Sequence, residues 1–300
     1  MSRNPPACEH TVPFFWPWAA AMSLGGQALQ LMKRNANFMV EADHIDHPPQ
    51  PEWATPNTVR LDLKTMRLRD FGATGSGTPV LVDAPYAGHS STIADYAPGQ
   101  SLVQTLRAHG LPHVLATDWK TATPRMRWFD IDTYLSDLNV AVDDLGGQVH
   151  LVGLCQGGWL STTFAARFPG KVKSLVLAGS PIDTNAGHGP IRKLAHEMPL
   201  PEYEAMVDAG HGLMPGAFML AGWKNTHPAE QFYGKYVDLY EHITDRNYLE
   251  RTETFERWYE NPVDLPGARY VQAIDQLFKR NLLAGGGFVA LGRAGSSIRA

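Results

Sequence analysis

The segment His150-Leu-Val-Gly-Leu-Cys155-Gln-Gly-Gly-Trp159 restricts the fold more than any other stretch of the chain. His150 to Val152 reads as a short buried strand that runs into Gly153-Leu154-Cys155-Gln156-Gly157, and a helix-like run from Gly158 to Phe168 follows at once. Strand, tight turn and helix in that order are the context of a nucleophile elbow. Glycines two before and two after the central residue let the turn close where a side chain would strike backbone. The central residue is held in a strained conformation and pushed out above the sheet, beside the positive end of a helix. Here that residue is Cys155. A thiol at a helix N-terminus is expected to ionise, and the thiolate is the reactive form. The bland alternative is a buried structural cysteine on a strand-to-helix turn.

Three hundred residues suit one large α/β domain or two smaller ones. With 44% hydrophobic and 19% charged residues, the chain can bury a core and is not disordered. A net charge of −4 leaves no basic footprint for nucleic acid. Cys8 and Cys155 lie far apart, so no disulfide framework follows and a reducing cytoplasm is expected. Thr11 to Met32 carries no charged residue, but Pro13, Pro17, Gly25-Gly26, Gln27 and Gln30 interrupt it. It also lacks the basic n-region and long apolar h-region of a signal peptide. Trp18, Met22, Gly25, Leu29 and Met32 share one helical face. The expectation is an amphipathic helix packed on the domain or on an apolar surface, not a membrane span.

A polar, proline-rich linker is read at 43–57, and residues 1–57 form an N-terminal helix-and-linker region. Val59-Leu61-Leu63 and Met66-Leu68 alternate with charged residues as two half-exposed strands. Pro79 to Ala84, Pro112 to Thr117 and Lys173 to Gly179 are buried strands; 99–109 and Phe129 to Leu145 are helices. This alternation argues a mostly parallel sheet covered on both faces. Two half-exposed strands and then parallel units, with the elbow after the fifth strand, is the order of the α/β-hydrolase fold. The core is placed at 58–183. From Thr184 to about Leu265 the chain is rich in Met, Trp, Tyr and Phe at helical spacing, which reads as a helical cap at 184–265. Its aromatics are expected in the packing. Residues 266–300 hold a final helix and a short tail.

An acyl-transfer site needs a nucleophile, a base, an acid that orients the base, and an oxyanion hole. The Gln156 backbone N–H would be one hole donor. The loop Asp83-Ala-Pro-Tyr-Ala-Gly-His89 would give the other, from Tyr86 or Ala87, because Pro85 has no N–H. His89 stands in the same loop, either as a hydrogen-bonded loop residue or as a proton-transfer group. The acid and histidine of this fold come late in the chain, yet only Arg293 to Ala300 follow Gly292, and neither residue type is there. The histidines His188, His196, His211, His227 and His242 all fall in the cap region. The reading calls for no metal and no cofactor.

With these residues in hand, the chain resembles the polyhydroxyalkanoate synthase and intracellular depolymerase group of α/β-hydrolases over roughly residues 80–293. Gly153-Leu-Cys155-Gln-Gly157-Gly158 looks like the synthase box. Ala84-Pro85, Gly88-His89-Ser-Ser-Thr92, Thr117-Asp118-Trp119 and Gly179-Ser-Pro-Ile-Asp-Thr184 look more like the depolymerase branch. Asp264-Leu-Pro-Gly and Leu277-Phe278 are similar to the helix that both branches place before the seventh strand. The resemblance implies chemistry on poly(3-hydroxyalkanoate) esters through Cys155, with a polyester or a 3-hydroxyacyl thioester as substrate. It leans to depolymerase, with a synthase-type acyltransferase as the alternative. It also implies a cytoplasmic place at polymer granules. It would further supply the last two strands, the aspartate and the histidine from the region after Gly292, where this sequence has a short tail. That departure leaves the C-terminal part of the sheet missing and the sixth strand's edge unpaired. A non-catalytic binder, a fragment, and a homo-oligomer or completing subunit all stay open.

Overall fold

The computed structural model describes residues 16–72 and 77–294. Residues 1–15 of the N-terminal region and 295–300 of the tail lie outside the described residues. Six strands form the main sheet: β1 (Thr58–Asp62), β2 (Met66–Asp70), β3 (Val80–Asp83), β4 (Val114–Trp119), β5 (Val149–Leu154) and β6 (Val172–Ala178). Their order across the sheet is β1-β2-β4-β3-β5-β6. β1 and β2 pair antiparallel, as do β2 and β4; the remaining pairs are parallel. This is the α/β-hydrolase order expected from the sequence.

Local chemistry sets the helix starts. Ser101 accepts from Gln104 N–H at 2.9 Å and opens α2 (Leu102–Ala108). Asp130 accepts from Thr133 N–H at 2.9 Å and opens α3 (Ile131–Asp144). Such caps satisfy N–H groups that the first helical turn leaves without partners. The buried residues of α3, Ile131, Tyr134, Leu135, Leu138, Ala141 and Val142, follow the three-four spacing of one helix face. They join the same buried cluster as the sheet residues Leu81, Val82, Leu115 and Leu151, which have no exposure.

Two N-terminal expectations change. The helix α1 (Trp16–Asp46) runs into the segment read as linker. The residues that hold it to the body are also different. Phe38, Ala42 and Ile45 pack with Leu239 and Ile243 of the cap, whereas Leu29 and Met32 are 55% and 69% exposed. The apolar stripe therefore does not face the domain where its side chains are described; those of Trp18 and Met22 lie outside the described ones. No helix among the described residues is long and apolar enough to cross a membrane.

After β6 the chain builds helices α5 (Pro190–Glu197), α6 (Leu200–Ala209), α7 (Gly216–Lys224), α8 (Lys235–Glu241) and α9 (Arg246–Tyr259). A two-residue ladder, Leu213–Met214 with Leu265–Pro266, ties the turn between α6 and α7 to the end of this helical region. α10 (Gly267–Ala273) then returns to the core and continues into a π-helical turn, Ile274–Lys279. Phe288 and Ala290 are buried, Val289–Ala290 pairs with Arg293–Ala294, and Leu291 N–H donates to Asp132 at 2.9 Å.

Candidate active site

Cys155 sits between β5 and the helix α4 (Gln156–Arg167), at φ 47° and ψ −117°. A non-glycine residue in that region is strained, and only the surrounding packing holds it there. The packing is visible at the flanking glycines. A Cβ on Gly153 would lie 2.5 Å from Gly158 Cα and 2.9 Å from Ser161 Oγ. A Cβ on Gly157 would strike Asp83 O and come 2.8 Å from Ala84 O. The start of α4 thus presses directly on the end of β3. On the other side, Cys155 N–H donates to Ala178 O of β6 at 2.8 Å.

The thiol reaches the surface. Burial on its inner side nevertheless pushes its pKa up, and the Gln156 backbone N–H pulls it down more weakly. The ionisation expected from the helix terminus is therefore outweighed by burial. Among the described residues, neither a histidine nor a carboxylate is one of the groups that act on the thiol. The site residues read from the sequence are thus only partly brought together.

Gln156 has its N–H at the sulfur, as the first residue of α4. Tyr86 and Ala87 follow the end of β3, the strand against which Gly157 packs. Among the described residues, their backbone N–H groups have no protein acceptor. Tyr86 itself is fixed by its hydroxyl, which donates to Lys120 O at 2.8 Å and lies 3.0 Å from Asp264 O. His89 turns to the cap. Its Nε2 is 3.1 Å from Tyr259 O, and its ring stacks on Trp258 and Tyr259 at 4.6 and 5.3 Å. Burial lowers its pKa, so the neutral form is favoured.

Two buried charged residues behind this loop gave no signal in the sequence. Asp83 closes β3 and accepts from Ser161 Oγ of α4 at 2.9 Å. Its burial raises the carboxyl to about 7. The Arg269 guanidinium of α10 lies 4.8, 4.7 and 5.4 Å from the rings of Tyr86, Tyr134 and Trp159. It is 2% exposed, so these cation–π contacts are desolvated and at the strong end of their range. Arg269 therefore links the loop after β3 to the elbow helix. Asp83 stands at the end of an apolar run, and Arg269 sits in an ordinary amphipathic stretch. Only the tertiary contacts set them apart.

Comparison with known proteins gives the lineage. The family described as "Protein of unknown function (DUF3141)" matches residues 63–298. The poly(3-hydroxyalkanoate) polymerase subunit PhaC of Haloferax mediterranei is 29% identical over 272 residues, covering 86% of this chain and 53% of that one. The subunit of the same name from Synechocystis is 32% identical over 219 residues, covering 69% and 55%. The chain thus spans about half the length of these curated relatives. Among solved structures, a study of Nitrososphaera gargenis carboxylesterases gives a TM-score of 0.42 at 16% identity over 78% of each chain. The fold itself follows from the strand order and the elbow. Matched over most of its length, the chain belongs to the DUF3141 family, within the polyhydroxyalkanoate synthase and depolymerase group of the α/β-hydrolases.

Proposed function

We propose that Cys155 is the acyl-carrying nucleophile of a site that acts on 3-hydroxyalkanoate esters. The observation that carries this reading is the strained elbow, which holds a surface-reaching thiol beside the Gln156 N–H. The Cys155 thiolate attacks the carbonyl carbon of a 3-hydroxyacyl thioester or of a polymer ester. The carbonyl oxygen takes up negative charge, and the N–H groups of Gln156 and of Tyr86 or Ala87 receive it. Collapse breaks the bond to the leaving thiolate or alkoxide, which takes up a proton, and leaves the acyl group on sulfur. A chain hydroxyl then extends a polymer, or water releases an acid.

The relatives bear the polymerase name; the segments around Ala84-Pro85 and Thr117-Asp118-Trp119 look like the depolymerase branch. Both directions share the acyl-cysteine. Thiol deprotonation is the weak point, because the thiol pKa is raised and no base among the described residues lies on it. His89 serves as a loop anchor in this reading, not as that base. The proposed setting is a polyester surface in the cytoplasm.

The test is mass spectrometry of the chain after incubation with 3-hydroxybutyryl-CoA, and separately with polymer granules. The expected result is a 3-hydroxybutyryl adduct on Cys155 that is absent in Cys155→Ala. CoA release with polymer growth identifies the transferase direction, and acid release from granules the hydrolase. Wild type indistinguishable from Cys155→Ala in every assay overturns the proposal in favour of a non-catalytic binder.

A further inference from the structure

The C-terminal half of α1 lies on the cap, where Phe38, Ala42 and Ile45 pack with Leu239 and Ile243. Beside that apolar contact, three metal-ligating side chains converge from two helices. Glu41 and His44 are three residues apart on α1, which puts them on one helix face. Glu253 comes from α9, the cap helix that α1 touches. One ligand atom from each of the three lies within 4.8 Å of the other two. A Glu-x-x-His pair facing a glutamate of a neighbouring helix is an arrangement that metal sites built from helices use.

The spacing suits a bound cation better than it suits pairing among the three groups. His44 Nδ1 stands 3.5 Å from Glu41 Oε2. That is beyond the range of an N–H···O hydrogen bond, about 2.7–3.2 Å. Two ligands held about 2.0–2.2 Å from a tetrahedral zinc ion are about 3.4 Å apart, close to the separation found. Glu41 Oε2 is shut from solvent and accepts no hydrogen bond among the described residues. Burial pushes the Glu253 carboxyl up, and Glu41 facing it pushes it further; His44 and Arg257 pull it down less. Two carboxylates set so close call for a shared proton or a cation. The His44 side chain is 57% exposed, so an ion can enter from solution and keep a water as its fourth ligand. An imidazole among the ligands selects the zinc class over calcium and magnesium, which take oxygen ligands.

We propose that Glu41, His44 and Glu253 bind one divalent ion of the zinc class, which clasps α1 to α9 of the cap. The chemistry at Cys155 needs no metal and does not depend on this ion. The test starts from the full chain stripped with EDTA. Equilibrium dialysis against zinc chloride compares the wild type with His44→Ala, Glu253→Gln and a control, His47→Ala, whose imidazole lies outside the cluster. His44 is exposed and Glu253 half-buried, so both variants keep their fold, which circular dichroism checks. The wild type is expected to hold one more equivalent of zinc than His44→Ala or Glu253→Gln, and the same amount as His47→Ala. With zinc at about 100 times its dissociation constant, hydrogen exchange of residues 38–46 through opening of this contact should slow about 100-fold, and in neither ligand variant. Equal zinc content in the wild type and both ligand variants overturns the proposal, whether the ions sit on other histidines or nowhere. Loss of the extra equivalent in His47→Ala alone moves the ion to Asp43 and His47 and equally overturns it. Zinc lost from the ligand variants as expected, with exchange at 38–46 unmoved in the wild type, overturns the clasp.

Discussion

β3 and β6 are both short apolar strands of the same parallel sheet, and they live in opposite environments. Val80, Leu81, Val82 and Asp83 are all buried. Along Val172–Ala178 only Val172 and Leu175 are partly covered, and Val176 is 53% exposed. Parallel strands normally have both faces covered, which is why they read as continuous apolar runs. β6 has that composition but only one neighbour, β5, among the described residues. Cys155 stands on the boundary, its elbow pressed on β3 and its own N–H bonded to Ala178 of β6. The nucleophile's position is thus set by the finished half of the sheet. The open half lies on the side where the described residues put no base on the sulfur.

The sharpest break in this comparison comes from the buried side. Gly157→Ala puts a methyl group against Asp83 O and Ala84 O, both backbone atoms that cannot yield without moving β3. A loss of about 4 kcal/mol or more is expected, in the class of overpacked cores and strained backbone. Urea unfolding measures it; a loss below about 1 kcal/mol would mean that the elbow does not rest on β3. Leu81→Ala comes next. Leu81 has no exposure, so roughly 2–5 kcal/mol is expected from lost burial and the cavity left behind. Leu177→Ala on β6 serves as its counterpart and should cost well under half as much.

Much of this division could be read in the sequence, and its limits are physical. Gly153, Gly157 and the apolar runs at 80–83, 149–152 and 173–178 announce an elbow in a parallel sheet because no other local structure demands that combination. Exposure of β6 is not legible in Val-Lys-Ser-Leu-Val-Leu-Ala itself, since an unpaired strand and a paired one have the same composition; the expectation of an unpaired sixth edge comes only from the family resemblance. Likewise α1 shows one apolar stripe to a periodicity search, while the residues that hold it, Phe38, Ala42 and Ile45, form a second stripe on the opposite face. His89 could be placed in the loop after β3, but its partners Trp258 and Tyr259 come from a helix 170 residues later. Long-range pairing of that kind leaves no local pattern.

Asp83 makes the buried side sensitive to pH. Its folded carboxyl is raised from 3.8 to about 7. The folded chain therefore holds a proton that the unfolded chain releases above about pH 4. Stability conferred by the protonated form is present at low pH and is lost as pH rises through about 7. Between pH 5 and pH 8 this site should remove roughly 2–3 kcal/mol. Glu256, buried beside Glu260 and Lys235 and also raised to about 7, acts in the same direction. Asp83→Asn keeps an oxygen acceptor for Ser161 and removes the titration. The slope of unfolding free energy against pH should flatten by that amount in the variant. An unchanged slope would show that Asp83 is ionised in the fold, balanced by Arg269.

The smallest effect on stability, and the most telling about the open side, is expected from Leu177→Lys. Leu177 is 40% exposed on the edge strand, so the substitution removes little burial and should change unfolding free energy by no more than about 0.5 kcal/mol. Its effect should fall on association. An exposed apolar edge offers unpaired N–H and C=O groups to any strand of matching length, and a lysine there is a common way of blocking such pairing. Light scattering of the concentrated protein should fall in Leu177→Lys while its melting curve stays with the wild type. A destabilised Leu177→Lys would instead mean that β6 is covered in solution, and the contrast between the two strands would then be one of partner and not of fold.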